Sequence, residues 1–429
     1  MKEQETDVLI VGAGPVGLLT GLLLAQAGIR IQIIDREERV AARSYACALH
    51  PASLAILNGL GLAEPLIAKG RRIPALAFYE GTSRCSQVTL ADSGEEFPFL
   101  LALPQSELES ALERKLREQS GVSVRWNHRF DKCEDGEEDV VALVERLGGT
   151  GTGYIVPHWE TMVMKRLAVR ARILIGADGH NSLVRERLGL EYEPLRPRQS
   201  FAVVEFTADS EGHDEVRAVL DDETTNVLWP LPQHKFRWTF QLTKTEVPSP
   251  FPEKARDPFR FAATEMQEQM RNWLERVIRH RAPWFRSAIK DITWCTQVSF
   301  QSALAKSFGR GRCWLAGDAA HQSGPVGVQS MNIGLLEAQA LATAVKRVLL
   351  DGKPLEQLSE YNQQCRHQWR GLFALDGGLQ PGAQATAWAR QRADRILPCL
   401  PASAETLSRL AAQLGLQLAE KIKALAPAA

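Results

Sequence analysis

The chain has 429 residues, with 51 Lys and Arg against 51 Asp and Glu, and this balance argues against nucleic acid or an anionic membrane surface as partners. The length accommodates two domains with a sizeable core. Seven cysteines without a C-x-x-C spacing predict a reducing compartment and no structural zinc, and the polar hexapeptide before Asp7 leaves no room for a signal sequence, so a soluble cytoplasmic protein is expected.

The first element is Asp7-Val8-Leu9-Ile10-Val11-Gly12-Ala13-Gly14-Pro15-Val16-Gly17. Its apolar run reads as a buried parallel strand. The helix that follows, Leu18 to Ala27, is apolar nearly all round and is capped by Gly28, so it belongs inside and is too short to span a bilayer. Gly12 makes the turn, Gly14 admits a pyrophosphate to the backbone, and Gly17 brings helix and strand together. Gly12, Gly14, Pro15, Val16 and Gly17 are thus read as a nucleotide-binding turn at a helix N-terminus. A second strand, Arg30 to Ile34, ends in Asp35, 18 residues beyond Gly17, close to the spacing of a ribose-binding acid.

Further along, residues 134–139 are an acidic cluster read as a solvated hairpin turn. Gly148 to Gly153 is glycine-rich, but no helix follows it, so a mobile loop is expected rather than a second nucleotide turn. Ala171 to Gly176 is another apolar strand, running into Ala177-Asp178-Gly179-His180-Asn181-Ser182. On spacing alone Asp178 either caps the next helix or belongs to a ligand site. Phe201–Thr207, Val216–Leu220, Val227–Leu231 and Phe236–Leu242 are short β-branched and aromatic runs, hence an antiparallel sheet. Residues 253–290 are expected to form helix covering it. Of its aromatics, Phe206, Trp229, Trp238 and Phe240 are either core residues or the roof of an apolar substrate pocket.

The third glycine motif, Gly311-Arg312-Cys313-Trp314-Leu315-Ala316-Gly317-Asp318-Ala319-Ala320-His321, lies about 300 residues after the first. Met331 to Leu350 then reads as a long helix, with Lys346 and Arg347 in its last turns and Gly352 and Pro354 beyond. Beyond Pro381, Leu407, Leu410, Leu414, Leu418, Ile422 and Leu425 recur at helical spacing. They predict an amphipathic C-terminal helix packed on the body or on a second copy in a homodimer, with membrane contact as the less favoured alternative.

These ordered motifs resemble the FAD-dependent aromatic hydroxylases, the single-component flavoprotein monooxygenases typified by para-hydroxybenzoate hydroxylase. The similarity covers residues 5 to about 350. It is carried by the nucleotide turn, Arg43 in Ala42-Arg43-Ser44-Tyr45-Ala46, Gln105 in Leu103-Pro104-Gln105-Ser106, the Asp178-Gly179 turn and Gly317-Asp318. The resemblance implies an α/β fold: a Rossmann-like FAD-binding domain with a parallel sheet, an antiparallel-sheet substrate domain and C-terminal helices. The division expected is 1–75, 104–188 and 293–350 for FAD, 76–103 and 189–292 for substrate, and 351–429 for the helical region.

Carried onto this chain, the resemblance implies that Asp35 binds the adenosine ribose. Arg36 and Arg43 would lie near pyrophosphate and ribityl chain, Gln105 would bond the ribityl side, and Asp178 and Gly179 would touch flavin and nicotinamide nucleotide. Asp318 would accept from the ribityl hydroxyls, and Pro325, Gly327, Met331 and Asn332 would cradle the isoalloxazine edge. Val328, Ser330 and Glu337 depart from the family's pattern in this segment.

The activity implied is NAD(P)H-dependent reduction of FAD, then oxygen transfer through a flavin C4a-hydroperoxide. The product would be a hydroxylated or epoxidised aromatic or polycyclic small molecule, with molecular oxygen as co-substrate. A reductase or dehydrogenase of the same fold is the alternative; a halogenase would need a Trp-x-Trp-x-Ile-Pro segment, which Trp229-Pro230-Leu231-Pro232 is not. A structural flavin is the remaining reading. No catalytic base is assigned. His321 is read as a packing or hydrogen-bonding element, and Tyr45, His50 and His180 as candidates for touching substrate.

Overall fold

A computed structural model describes residues 3–39, 44–90, 96–119, 122–152, 158–209, 214–221, 223–246, 264–375, 379–401 and 411–416. Arg43 and most of the expected helix at 407–425 lie outside these residues.

The first strand, Glu3–Val11, is the centre of a sheet whose order runs 309–310, 313–315, 158–176, 3–11, 31–34, 124–125. Its neighbours Ile31–Ile34 and His158–Gly176 run parallel to it, and Cys313–Leu315 runs parallel to His158–Gly176 on the far side. Val8, Leu9 and Ile10 are fully buried, as a parallel strand covered on both faces requires. One face carries the helix Pro15–Gln26, buried along most of its length, against the helix Gln329–Leu349. The helix Gln357–Leu372 packs outside the latter and contributes Leu358, Tyr361, Cys365 and Trp369 to the same core.

Strand His158–Gly176 is far longer than the apolar run at 171–176. Its residues 158–171 pair antiparallel with Val140–Thr152, from Thr152↔His158 to Val140↔Ala171. The glycines at 148, 149 and 151 therefore sit in an extended ladder, not in the loop their composition suggests; without Cβ atoms they offer no turn signal that outweighs the pairing. Residues 153–157 lie outside the described residues. The acidic cluster does fall at a hairpin, with Gly136 N donating to Asp139 O between His128–Asp135 and Val140–Thr152.

The second sheet has seven strands, in the order 289–300, 199–208, 235–242, 225–230, 215–220, 75–80, 83–89. The four expected strands are its middle, and Ala75–Glu80 joins Glu215–Leu220 in parallel. Strand Ile289–Phe300 pairs with Gln199–Ala208 along its length. A domain boundary between 292 and 293 would cut this strand in two; of the helix expected over 253–290, Thr264–Arg281 is observed, 253–263 lie outside the described residues, and 289–290 begin the strand. Apolar residues appear on both faces of this strand, so periodicity did not separate it from its neighbours. Among the described residues, no helix is long and apolar enough to cross a membrane.

Candidate functional site

The register of the parallel sheet brings the separate glycine motifs together. Val11 is level with Ile34 on one side and Gly176 on the other, and Gly176 is level with Leu315. The residues that follow these strand ends are Gly12, Asp35, Ala177-Asp178 and Ala316-Gly317-Asp318. All leave the sheet at its carboxyl edge, where open α/β sheets bind their ligands.

Close backbone contacts explain the glycines. Gly12 has φ +107°, and a Cβ there would lie 2.2 Å from Ala177 O; a Cβ on Gly17 would lie 2.0 Å from Gly12 O. A Cβ on Gly14 would meet nothing within 4 Å, so that face of the turn is open to a ligand. Val16 packs elsewhere: its side chain lies against Gly317 (φ +64°) and Gly334, joining the first motif to the third. Pro15 is buried as the first residue of the helix.

Beside the open turn is a cavity of about 220 Å³, lined by Gly12, Gly14, Asp35, Arg36, Asp178 and Gly179 among others. Asp35 accepts from Ala13 N (2.6 Å) through one oxygen and Glu37 N (2.8 Å) through the other, so it braces the turn as well as facing the cavity. Asp178 combines both sequence readings. It accepts from Ser182 Oγ (2.5 Å), Leu183 N (2.8 Å) and Val184 N (3.2 Å), capping Leu183–Arg187, and it also lines the cavity. Burial pushes its carboxyl above the usual range, against these hydrogen bonds.

The other half of the site is built around Asp318, in a single 3₁₀ turn, and the start of Gln329–Leu349. Asp318 Oδ1 accepts from Ser330 Oγ at 2.6 Å. Strand Tyr192–Pro194 reaches this turn through Ala303–Ala305, which pairs with His321–Gln322. The hydroxyls of Tyr192 and Ser323 are buried here with no hydrogen-bond partner among the described residues. Burial, then the nearby Asp318 charge, raises the Tyr192 phenol well above its ordinary value. An unmet phenol beside a carboxylate suits a hydroxyl-bearing chain. An open glycine turn with an acid at one end and this arrangement at the other fit an FAD.

Several expected contacts are corrected. Asn332 is fully buried and its amide is engaged by protein: Oδ1 accepts from His50 N (2.8 Å) and Ser53 Oγ (2.8 Å), and Nδ2 donates to Ala48 O (3.0 Å) and Val328 O (2.9 Å). Its side chain is a clamp between two segments. Gly327 is required by the chain itself, because a Cβ there would lie 2.1 Å from Pro398 O. Gln329 Nε2 donates to Leu397 O (2.9 Å) and Leu400 O (2.8 Å), so residues 397–400 are seated on this loop. Pro325 is buried in the loop, and Met331 packs against both the FAD-side core and the inner face of the second sheet. Val328 takes the left-handed conformation (φ +54°) as the residue preceding the helix.

Among the aromatics, strand alternation decides. Phe206, Trp238 and Phe240 pack on the outer face against Met270, Trp273 and Leu274 of Thr264–Arg281. They are core residues rather than the roof of a substrate pocket. Trp229 is on the inner face and donates from Nε1 to Val326 O at 3.2 Å. Tyr45 meets Trp294 and Phe300 edge-on or tilted at 6.0 and 5.5 Å. His50 is buried with Nε2 3.1 Å from Gly327 O, whereas His180 is exposed.

Sequence reasoning missed the polar groups on the inner face. Arg237 is buried, donates to Tyr45 O (2.6 Å) and, through Nε, to Glu205 Oε1 (2.9 Å). Both line a cavity of about 1040 Å³ together with Ser44, Gln105 and Leu231. There Ser44 Oγ donates to Gln105 Oε1 (2.5 Å), and Gln105 Nε2 to Glu109 Oε1 (2.7 Å). Glu205 and Arg237 are directly opposed across two strands, a charge pair on the face opposite the aromatics. That alternation was available in the sequence.

An extended nucleotide site along the carboxyl edge of a parallel sheet, ending beside an antiparallel sheet, defines a flavoprotein oxidoreductase that holds FAD. The chain belongs to the FAD binding domain family, whose model matches residues 5–374. It is 27% identical over 366 residues to para-nitrophenol 4-monooxygenase of Pseudomonas sp. (strain WBC-3), covering 83% of this chain and 81% of that protein. It is 29% identical over 361 residues to 6-methylpretetramide 4-monooxygenase of Streptomyces rimosus, covering 83% of this chain and 58% of that protein. Against the latter the chain thus spans less than two thirds of its relative's length. The crystal structure of p-nitrophenol 4-monooxygenase from Pseudomonas putida DLL-E4 shares the fold, with TM-score 0.73, 21% identity and coverage of 96% of this chain and 97% of that one.

Proposed function

We propose that this chain is an NAD(P)H-consuming FAD monooxygenase that inserts one atom of molecular oxygen into an apolar aromatic or polycyclic small molecule. The observation that carries this reading is the common level of Val11, Ile34, Gly176 and Leu315, which sets Gly14, Asp35, Asp178 and Asp318 along one edge. The family and the named monooxygenase relatives support the reaction class.

When bound, FAD supplies the redox chemistry, taking electrons from the nicotinamide and activating oxygen. The chain's own residues position it. The open turn at Gly14 and the N-terminus of Pro15–Gln26 receive the phosphates. Asp35 accepts from the ribose, and Asp318 from the ribityl hydroxyls. The first-turn N–H groups of Gln329, Ser330 and Met331 have no intrahelical acceptor, and the positive end of that helix favours an electron-rich ring. Residues 397–400, closed on Gly327 and Gln329, exclude water from that end. Trp229, Tyr45 and Phe300 supply an apolar wall, with the internally neutralised Glu205–Arg237 pair beside it.

The test is anaerobic mixing of the flavin-loaded protein with NADPH, and separately NADH, with and without a panel of phenols and polycyclic aromatics. Flavin bleaching accelerated by a panel member, followed by labelled oxygen in that compound after air is admitted, is the expected result. Rapid bleaching with no label in any compound would contradict a monooxygenase.

A further inference from the structure

A chain of hydrogen bonds runs from the core to Asp318. At its inner end Glu337, 1% exposed, meets three donors. Trp369 Nε1 donates to Oε1 at 2.8 Å; Gly317 N and His321 Nε2 approach Oε2, each at 2.8 Å. His321 is fully buried and stacked on Trp369, with ring centroids 4.0 Å apart. Its Nδ1 lies 3.3 Å from Ser330 Oγ, which donates to Asp318 Oδ1 at 2.6 Å. Asp318 Oδ2 has no protein donor among the described residues.

A serine has one hydroxyl hydrogen. Here it goes to Asp318, so the serine oxygen accepts from His321 Nδ1, and with Nε2 directed at Glu337 both ring nitrogens of His321 carry hydrogen in this arrangement. Among the described residues, Ser330 is therefore the side chain that bridges the buried Glu337–His321 pair and the carboxylate at the site. Glu337 also holds the amide of Gly317, the residue before Asp318, so both the backbone and the side chain of the turn are tied to one buried carboxylate. Two of the residues that depart from the family pattern, Ser330 and Glu337, are the outer link and the inner anchor of this single network.

We propose that Ser330 is a positioning residue. It fixes Asp318 through Oδ1 to the buried His321–Glu337 pair, so that Oδ2 is presented to the ribityl hydroxyls of the flavin. The inference rests on the reading of Asp318 as the ribityl acceptor. A hydrogen bond to a charged group that must be held in one orientation supports an effect of roughly tenfold on ligand affinity.

The experiment titrates apoprotein with FAD, and separately with ADP as a probe of the nucleotide half, for wild type, Ser330→Ala, Ser330→Thr and Asp318→Ala. Ser330→Ala is expected to weaken FAD about tenfold and to shift the visible spectrum of the bound flavin. Ser330→Thr, which keeps the hydroxyl, restores both, and ADP binding is unchanged throughout. Normal FAD binding by Ser330→Ala, with weakened binding by Asp318→Ala, overturns the proposal and leaves the Asp318 reading intact. Normal binding by both overturns the Asp318 reading and the proposal with it. Failure of Ser330→Thr to restore affinity, or equal loss of ADP in Ser330→Ala, assigns Ser330 to the fold alone. Ser330→Gly, which removes the hydroxyl without adding a group, repeats the comparison if Ser330→Ala does not fold.

Discussion

The carboxyl edge of the parallel sheet and the seven-stranded sheet beside it encode their roles differently. At the edge, function resides in turns, and each turn writes its requirement locally: a glycine where a Cβ would lie 2.0–2.2 Å from a backbone oxygen, an acid where a strand ends. In the second sheet, function depends on which face a residue occupies. That is set by pairing partners far away in the chain, and a shift of one residue reverses it. Trp229 and Trp238, nine residues apart and both almost fully buried, belong to opposite faces. The edge can be read by motif; the sheet has to be read by register.

Four substitutions sharpen or break this contrast. The largest effect is expected from Trp238→Ala, which removes an indole from the outer face. It should cost about 3–5 kcal/mol of stability by chemical denaturation while leaving FAD affinity per folded molecule unchanged; weakened FAD binding would put the outer face in the site. Next is Gly17→Ala. Its Cβ would be forced against Gly12 O, so a loss of about 3 kcal/mol is expected together with loss of flavin from the purified protein. Retention of full flavin content would show that the turn is not the nucleotide site.

Trp229→Phe, on the inner face, removes the bond to Val326 O, worth about 1 kcal/mol, together with the packing of the indole's second ring. Its expected signature is a changed KM for the aromatic substrate with only a modest fall in melting temperature, and the reverse pattern would make Trp229 a core residue. The smallest effect concerns Asp178. Burial raises its carboxyl pKa in the folded state, so the folded protein holds this proton to higher pH than the unfolded chain. Stability from this group is therefore greatest at low pH and declines as pH rises from the ordinary carboxylate range through the raised value. Asp178→Asn should flatten that part of the stability profile, measured by denaturation across pH; an unchanged slope would remove Asp178 as its source.

Much of the FAD half was legible because strand, glycine turn and acid recur at each strand end and require no knowledge of long-range pairing. The same local reading failed where a residue's partner was distant. Asn332 falls in a motif associated with the ring, yet its amide is taken by Ala48, His50 and Ser53, some 280 residues earlier in the chain. Gly327 answers to Pro398, a contact no spacing rule could reveal. The glycines at 148–151 look like a loop because composition cannot show that a strand lies opposite. Phe206, Trp238 and Phe240 were named for being aromatic, whereas alternation with Glu205 and Arg237 held the information about facing. Asp178 answers to both of its sequence readings in position, since the same carboxylate caps a helix and lines a cavity.

The central claim, one FAD laid along the carboxyl edge with its nucleotide half at Asp35 and its reactive half at Asp318, is tested most directly by calorimetric titration of apoprotein with FAD and with ADP in Asp35→Ala and Asp318→Ala. Asp35→Ala should weaken both ligands, whereas Asp318→Ala should weaken FAD by roughly ten- to a hundredfold and leave ADP unchanged. Equal effects of Asp318→Ala on FAD and ADP, or none on either, would contradict the account.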